Sequence, residues 1–202
     1  MKARSILRTA GSAALLLAAA TALCGVLYPL AVTGVAQAAF PRQAGGSIIE
    51  VDGVAWGSDL VGQPFADDDH LWGRVSGAEA RTFRADDGTP LLWYAPANES
   101  PATDGFAARV AERVAAVRAA HPDQGDAPVP SDLVTTSGSG FDPHISPAAA
   151  EYQVGRLSAA TGRSPEEVRA IIAACTEQPL LGVVGEPRVN VLRVNLMLDG
   201  VL

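Results

Sequence analysis

Arg8 and Arg42 bracket 33 residues without a charged side chain, and Lys2, Arg4 and Arg8 stand directly in front of them. A bilayer core of about 30 Å needs about 20 apolar helical residues to cross it, so the run is long enough to span. Nine Leu or Val residues lie between Leu15 and Val35; together they favour insertion by roughly 3–5 kcal/mol. The pattern predicts a short tail over residues 1–8, a transmembrane helix over 9–36 and one exported domain over 37–202. Basic residues before the span orient the tail toward the cytoplasm and the domain to the extracytoplasmic side. Tyr28-Pro29 is expected to weaken or kink the helix, because proline removes a backbone donor. Ala14, Ala18 and Ala22 recur at four-residue spacing and Gly25 follows, a small-residue stripe suited to close packing against another membrane helix. The competing reading is a signal peptide cleaved at Ala36-Gln37-Ala38, which releases a secreted or periplasmic binding module.

Beyond the span the pattern alternates between short strands and amphipathic helices. Ser47 to Val51 predicts a strand ended by the turn pair Asp52-Gly53. Trp56 to Gly77 reads as loop, and Leu91 to Tyr94 as a second strand. Phe106, Val110, Val114 and Val117 form one apolar face of a helix over about Thr103 to Ala120, stopped by Pro122. Ser146-Pro147 and Ser164-Pro165-Glu166-Glu167 are helix starts, the second a capping box. The first carries Ala150, Val154 and Leu157 inward, the second Val168, Ile171, Ile172 and Cys175. Arg188 to Leu196 is strand-like by β-propensity. This order predicts a small mixed α/β (α+β) domain.

Composition narrows the function. The whole chain carries −7, and without Lys2, Arg4 and Arg8 the exported part holds 12 basic against 22 acidic residues, a net −10. An acidic domain is a poor nucleic-acid binder. Cys24 lies in the span and Cys175 in a predicted helix, so no disulfide staples the domain. His70, His121 and His144 fall at no metal-ligand spacing; His70 follows Asp67-Asp68-Asp69 in what reads as a solvated acidic loop. Ser137-Gly138-Ser139-Gly140 lacks the frame of a nucleophile elbow or a phosphate loop, and Lys2 is the only lysine. No catalytic residue and no metal site is expected; a hydrolase using His144 and Asp142 is the minor alternative.

Several stretches resemble one family. Tyr28-Pro29, Phe40-Pro41, Gly57-Ser58, Gly62-Gln63, Phe65 and Trp72-Gly73-Arg74 run in the order of KdpC, the small single-span subunit of the Kdp potassium-transporting P-type ATPase complex. Ser137 to Val154 (SGSGFDPHISPAAAEYQV) and Leu180 to Asp199 (LLGVVGEPRVNVLRVNLMLD) are similar to that family's signature stretches. The likeness is weakest from Thr82 to Asp104; Phe141 stands where the family often has Leu, and Gly155 where it often has Pro. The resemblance implies a non-catalytic accessory subunit in the cell membrane. Its partners would be a channel-like potassium-binding subunit and a P-type ATPase subunit. It also implies a role as assembly factor and as catalytic chaperone raising the pump's affinity for ATP, with Gln153 matching a glutamine linked to nucleotide binding. Gln153 also fits a polar position on an exposed helix face. ATP is cytoplasmic while the charge rule places Gln153 outside, so coupling through the membrane span is the physically consistent route.

Overall fold

A computed structural model describes residues 2–76, 78–84, 90–94, 96 and 98–202, with backbone alone for 2–4, 78–84 and 90–94. The chain divides into two compact units, Met1–Ile48 and Ile49–Leu202.

The first unit is a continuous helix with a short helical extension. α1 (Lys2–Ala20) runs through a π-helical segment (Thr21–Leu27) into α2 (Tyr28–Ala39), followed by α3 (Pro41–Ala44). The apolar stretch Ser5–Ala39 is 35 residues, about 52 Å at 1.5 Å per residue. None of its membrane-length window is buried within the chain. Exposed Leu and Val on every side need lipid or other helices to cover them. Pro29 does not break this helix. An α-turn would set its ring against the carbonyl of Gly25; the wide i→i+5 turns of Thr21–Leu27 lie just where that carbonyl must move aside.

The second unit begins with a hairpin. β1 (Ile48–Val51) pairs with β2 (Val54–Ser58) across Asp52 (φ 52°) and Gly53 (φ 78°), the positive-φ pair of a two-residue turn. β2 takes Trp56–Ser58 out of the predicted loop, and Gly77 lies outside the described residues. The expected strand near Leu91 is β4 (Pro90–Tyr94), antiparallel to β3 (Ala78–Arg84). α4 (Asp104–Ala120) starts at Thr103, whose hydroxyl accepts from Phe106 N at 3.3 Å. Val117 is buried, and Val110 and Val114 pack against the core.

The predicted helix after Ser146 is two helices, α5 (Pro147–Glu151) and α6 (Val154–Thr161), with Tyr152 and Gln153 between them. α7 (Pro165–Ala174) opens on the complete capping box of Ser164 and Glu167. β5 (His144–Ile145), β7 (Arg188–Asn190) and β6 (Thr176–Glu177) make an antiparallel sheet with β7 in the middle.

The strand expected over Arg188 to Leu196 is corrected. It ends at Asn190, and α8 (Val191–Leu198) follows. Asn190 Oδ1 accepts from Arg193 N at 3.1 Å as an N-cap. The apolar residues then divide by helical spacing: Val191, Val194 and Leu198 enter the main core, Leu192 and Leu196 a second cluster with Ile49. Burial on two faces overrides the strand preference of the β-branched side chains. The main core joins Ile145, Ala149, Leu157, Val168, Ile172 and Val189 to these residues.

Candidate functional site

Gln153 is a fully engaged buried polar group of the second unit. Its position between α5 and α6 puts it four residues after Ala149 and four before Leu157, and all three are 0% exposed. The exposed-face expectation is therefore corrected: the side chain points into the protein. Oε1 accepts from Trp72 N at 2.8 Å and Arg156 Nη2 at 2.7 Å, and Nε2 donates to Trp72 O at 3.0 Å and Ala149 O at 3.1 Å. Both lone-pair directions and both amide protons are used.

Arg156, one turn further along α6, is buried with its guanidinium over the Trp72 ring, 4.4 Å from the centroid. Nε donates to His121 Nε2 at 3.0 Å, and Nη1 donates to the carbonyls of Asp67, at 3.2 Å, and Asp68. Burial pushes the guanidinium down to about 10, against the opposing pull of Asp68, Asp69 and Asp123. It stays charged at neutral pH, solvated by carbonyls and a π face in place of water. The acidic run thus binds Arg156 with its backbone.

His121 closes the cluster from the end of α4. Nδ1 donates to Val117 O at 2.7 Å, which fixes Nε2 as the acceptor for Arg156. Burial holds this imidazole below its usual range and Arg156 adds to the shift, while the Val117 bond, Asp123 and Asp68 oppose it. Trp72 meets the His121 ring edge-on at 5.5 Å, and its indole N–H donates to Asp67 O at 2.8 Å. Helix α4, the loop 67–72 and helix α6 are locked by one polar cluster whose members mostly satisfy one another. A cleft of about 580 Å³ lies beside it, lined in part by Asp68, Ala119, Asp123, Gly155 and Arg156.

The other two histidines make none of the clamp's hydrogen bonds given above. The carboxylates of Asp67 and Asp69 and the His70 ring place their nearest ligand-type atoms within 4.8 Å of one another, in the run that the sequence reads as a solvated acidic loop. Asp199 receives His70 Nε2 at 3.2 Å, so His70 ties this loop to the end of α8. His144 lies 3.6 Å from Asp142 and 3.8 Å from Glu177. Burial holds its imidazole low and Arg188 adds to the shift, while Glu177 and Asp142 oppose it. Asp142 Oδ1 accepts from His144 N at 3.0 Å, the turn that leads into the Ser146 cap. Ser146 N in turn donates to Asp132 at 2.9 Å.

Two features escaped sequence reasoning. Arg193 makes a paired contact with Asp59, 2.7 Å at each oxygen, and Asn190 Nδ2 donates to Asp59 O at 3.0 Å. The Asp59 carboxylate raises Arg193 above its usual value. Gly62 abuts Asp142: a Cβ there would lie 2.6 Å from its carbonyl oxygen. In the first unit, Ala14 and Ala18 lie on α1 and Ala22 and Gly25 in the π-helical segment, all exposed. The wide turn shifts the phase of that face between its two halves.

Comparison with known proteins covers both units. The chain matches the family described as KdpC, the c chain of K+-transporting ATPase, over residues 10–200. It is 50% identical over 182 residues to the potassium-transporting ATPase KdpC subunit of Clostridium botulinum (strain Eklund 17B / Type B), covering 90% of each chain. The KdpC subunit of Sorangium cellulosum (strain So ce56) is 51% identical over 190 residues, covering 93% of this chain and 95% of that one. That of Dechloromonas aromatica (strain RCB) is 43% identical over 198 residues, covering 98% of each. The family match includes the apolar helix from residue 10, and the reading as a module released at Ala38 gains no support from it. The chain belongs to the KdpC family.

Proposed function

We propose that this chain is the membrane-anchored accessory subunit of an ATP-driven potassium pump, joined there by a channel-like potassium-binding subunit and a P-type ATPase subunit. It stabilises their assembly and acts as a catalytic chaperone that raises the pump's affinity for ATP. The observation that carries this reading is the family match over residues 10–200, apolar helix included. The Ser5–Ala39 helix is the anchor; the basic residues ahead of it put the tail in the cytoplasm and the second unit outside. The subunit itself is non-catalytic. Supporting this, His121 has both ring nitrogens committed to internal partners.

ATP acts through the complex. A nucleotide at Gln153 would have to displace the Trp72, Ala149 and Arg156 contacts that fill its amide, which is costly for a buried group. Coupling through the helix needs no such displacement: the chain biases the pump toward its ATP-binding conformation by packing against it. The test is the ATP dependence of potassium-stimulated hydrolysis by the complex with and without this chain. Severalfold more ATP should be needed for half-saturation when it is missing. An unchanged ATP dependence in an intact complex would refute the chaperone role.

A further inference from the structure

The clamp closes only while His121 is neutral. Its side chain is buried. Nδ1 carries the proton given to Val117 O, which leaves Nε2 as the lone pair that takes Arg156 Nε. A second proton can enter only at Nε2, and it turns that acceptor into a donor. Two N–H groups and two positive charges then face each other across 3.0 Å in a buried site. The groups around the ring set how this conflict resolves. Arg156 of α6 is the cation it meets; Asp123, two residues on, and Asp68 of the 67–72 loop are the acids that favour the added proton. Trp72 packs edge-on at 5.5 Å, and the Tyr152 ring lies 5.3 Å away with its hydroxyl buried and without a partner among the described residues.

Arg156 has a place to go. It lines the cleft of about 580 Å³ beside the clamp, whose walls include the small residues Ala119, Gly155 and Ala159 and whose acids are Asp68 and Asp123. Those two carboxylates, with Asp69, already favour its charge. In leaving, Arg156 gives up the carbonyls of Asp67 and Asp68 and the face of Trp72. Other ties remain: Asn195 holds the Leu71 backbone at 2.7 and 3.1 Å, and Gln153 holds that of Trp72. The change is therefore local, confined to residues 67–69 and the Trp72 indole. We infer that the His121–Arg156 contact is an acid-operated latch: protonation of His121 sends Arg156 into the neighbouring cleft and frees residues 67–69 and the Trp72 indole while the rest of the unit stays folded. The latch lies within this chain and does not depend on the subunit reading. With the unit outside the membrane, as proposed above, it senses the pH of the medium.

Burial and Arg156 hold the closed imidazole below its ordinary value of about 6.5, so the open form takes the proton first. Below about pH 6.5 the open fraction grows about tenfold per pH unit, until the closed form titrates as well. The test is hydrogen exchange by NMR on the full chain in detergent, each rate corrected for its intrinsic pH dependence. The reporters are Arg156 Nε–H and the Trp72 indole N–H, which donates to Asp67 O; the Ile172 amide of α7 reports global unfolding. At pH 5 both reporters should open at least about tenfold more often than at pH 7 and than Ile172, and low urea should leave their opening unchanged, the mark of a local event. Opening that does not change with pH, or that matches Ile172 in size and urea response, overturns the latch. His121→Gln offers Arg156 an acceptor that takes no proton, so its reporters should stay protected at pH 5; a response persisting there overturns His121 as the trigger. Should that variant not fold, Asp123→Asn removes an acid that favours the proton and should move the opening curve to lower pH; an unmoved curve overturns the latch too. His144→Gln should leave the local opening as in the parent, and its loss there would assign the trigger to His144 instead.

Discussion

Replacing Gln153 by alanine tests the buried clamp most sharply. The substitution removes the hydrogen bonds to Trp72 N, Trp72 O and Ala149 O and one acceptor of Arg156. Each buried polar group left without a partner costs about 1–3 kcal/mol, with a charged group at the upper end. Water entering the vacated space recovers part of this, since four polar groups would line it. A net loss of about 3 kcal/mol is expected, and at 2–4 °C per kcal/mol for a unit of about 150 residues the melting midpoint drops roughly 6–12 °C. The measurement is thermal unfolding of the full chain in detergent, followed by near-ultraviolet circular dichroism, because Trp72 sits in the cluster. Gln153→Glu keeps the two acceptor contacts and loses the donors, so its midpoint falls between parent and alanine variant. A shift below about 2 °C for Gln153→Ala would refute the clamp. An ATP defect without any loss of stability would return Gln153 to a direct nucleotide role.

Other perturbations probe separate parts of the account. His121 and His144 are both held below the ordinary imidazole value by burial, so the unfolded chain binds protons first on acidification; stability is full above about pH 6.5 and is lost as pH falls toward the folded values. A melting midpoint that stays flat from about pH 7.5 to 5 would contradict this, and His144→Gln should flatten part of the slope. Asn190→Ala removes the α8 N-cap and the bond to Asp59 O, with an expected loss of about 2 kcal/mol by denaturant unfolding. Gly62→Ala forces the loop off Asp142 and should destabilise by about 1–3 kcal/mol. A cysteine at Glu166, whose side chain is 80% exposed, should react with a membrane-impermeant reagent in intact cells; protection there, with reaction after lysis, would reverse the orientation.

Local signals were readable where chemistry is local. Asp52-Gly53 and the Ser164–Glu167 box each dictate a turn or a cap from adjacent residues, and both elements form there. The failures involve long-range packing. α8 reads as a strand because Val191 and Val194 favour one in isolation; two apolar clusters on either side of it, with Ile49 from far upstream, decide for the helix. The break before α6 was illegible for the same reason: Gln153 N turns to Ala150 O, three residues back, while its side-chain amide meets Trp72, 81 residues away in sequence. A hint was present in the Ala149, Gln153, Leu157 spacing, a polar residue on an otherwise apolar stripe. The roles of His121 and Arg156 depend on each other across 35 residues, and no spacing rule announces them.

The central claim is that this chain lives anchored in the membrane within a potassium pump. Affinity purification of the tagged chain from detergent-solubilised native membranes, with its N-terminus sequenced and its companions identified by mass spectrometry, tests that directly. The account predicts an uncleaved apolar helix and fixed amounts of a potassium-channel-like subunit and a P-type ATPase subunit. Recovery from the soluble fraction, trimmed after Ala38 and without those companions, would contradict it.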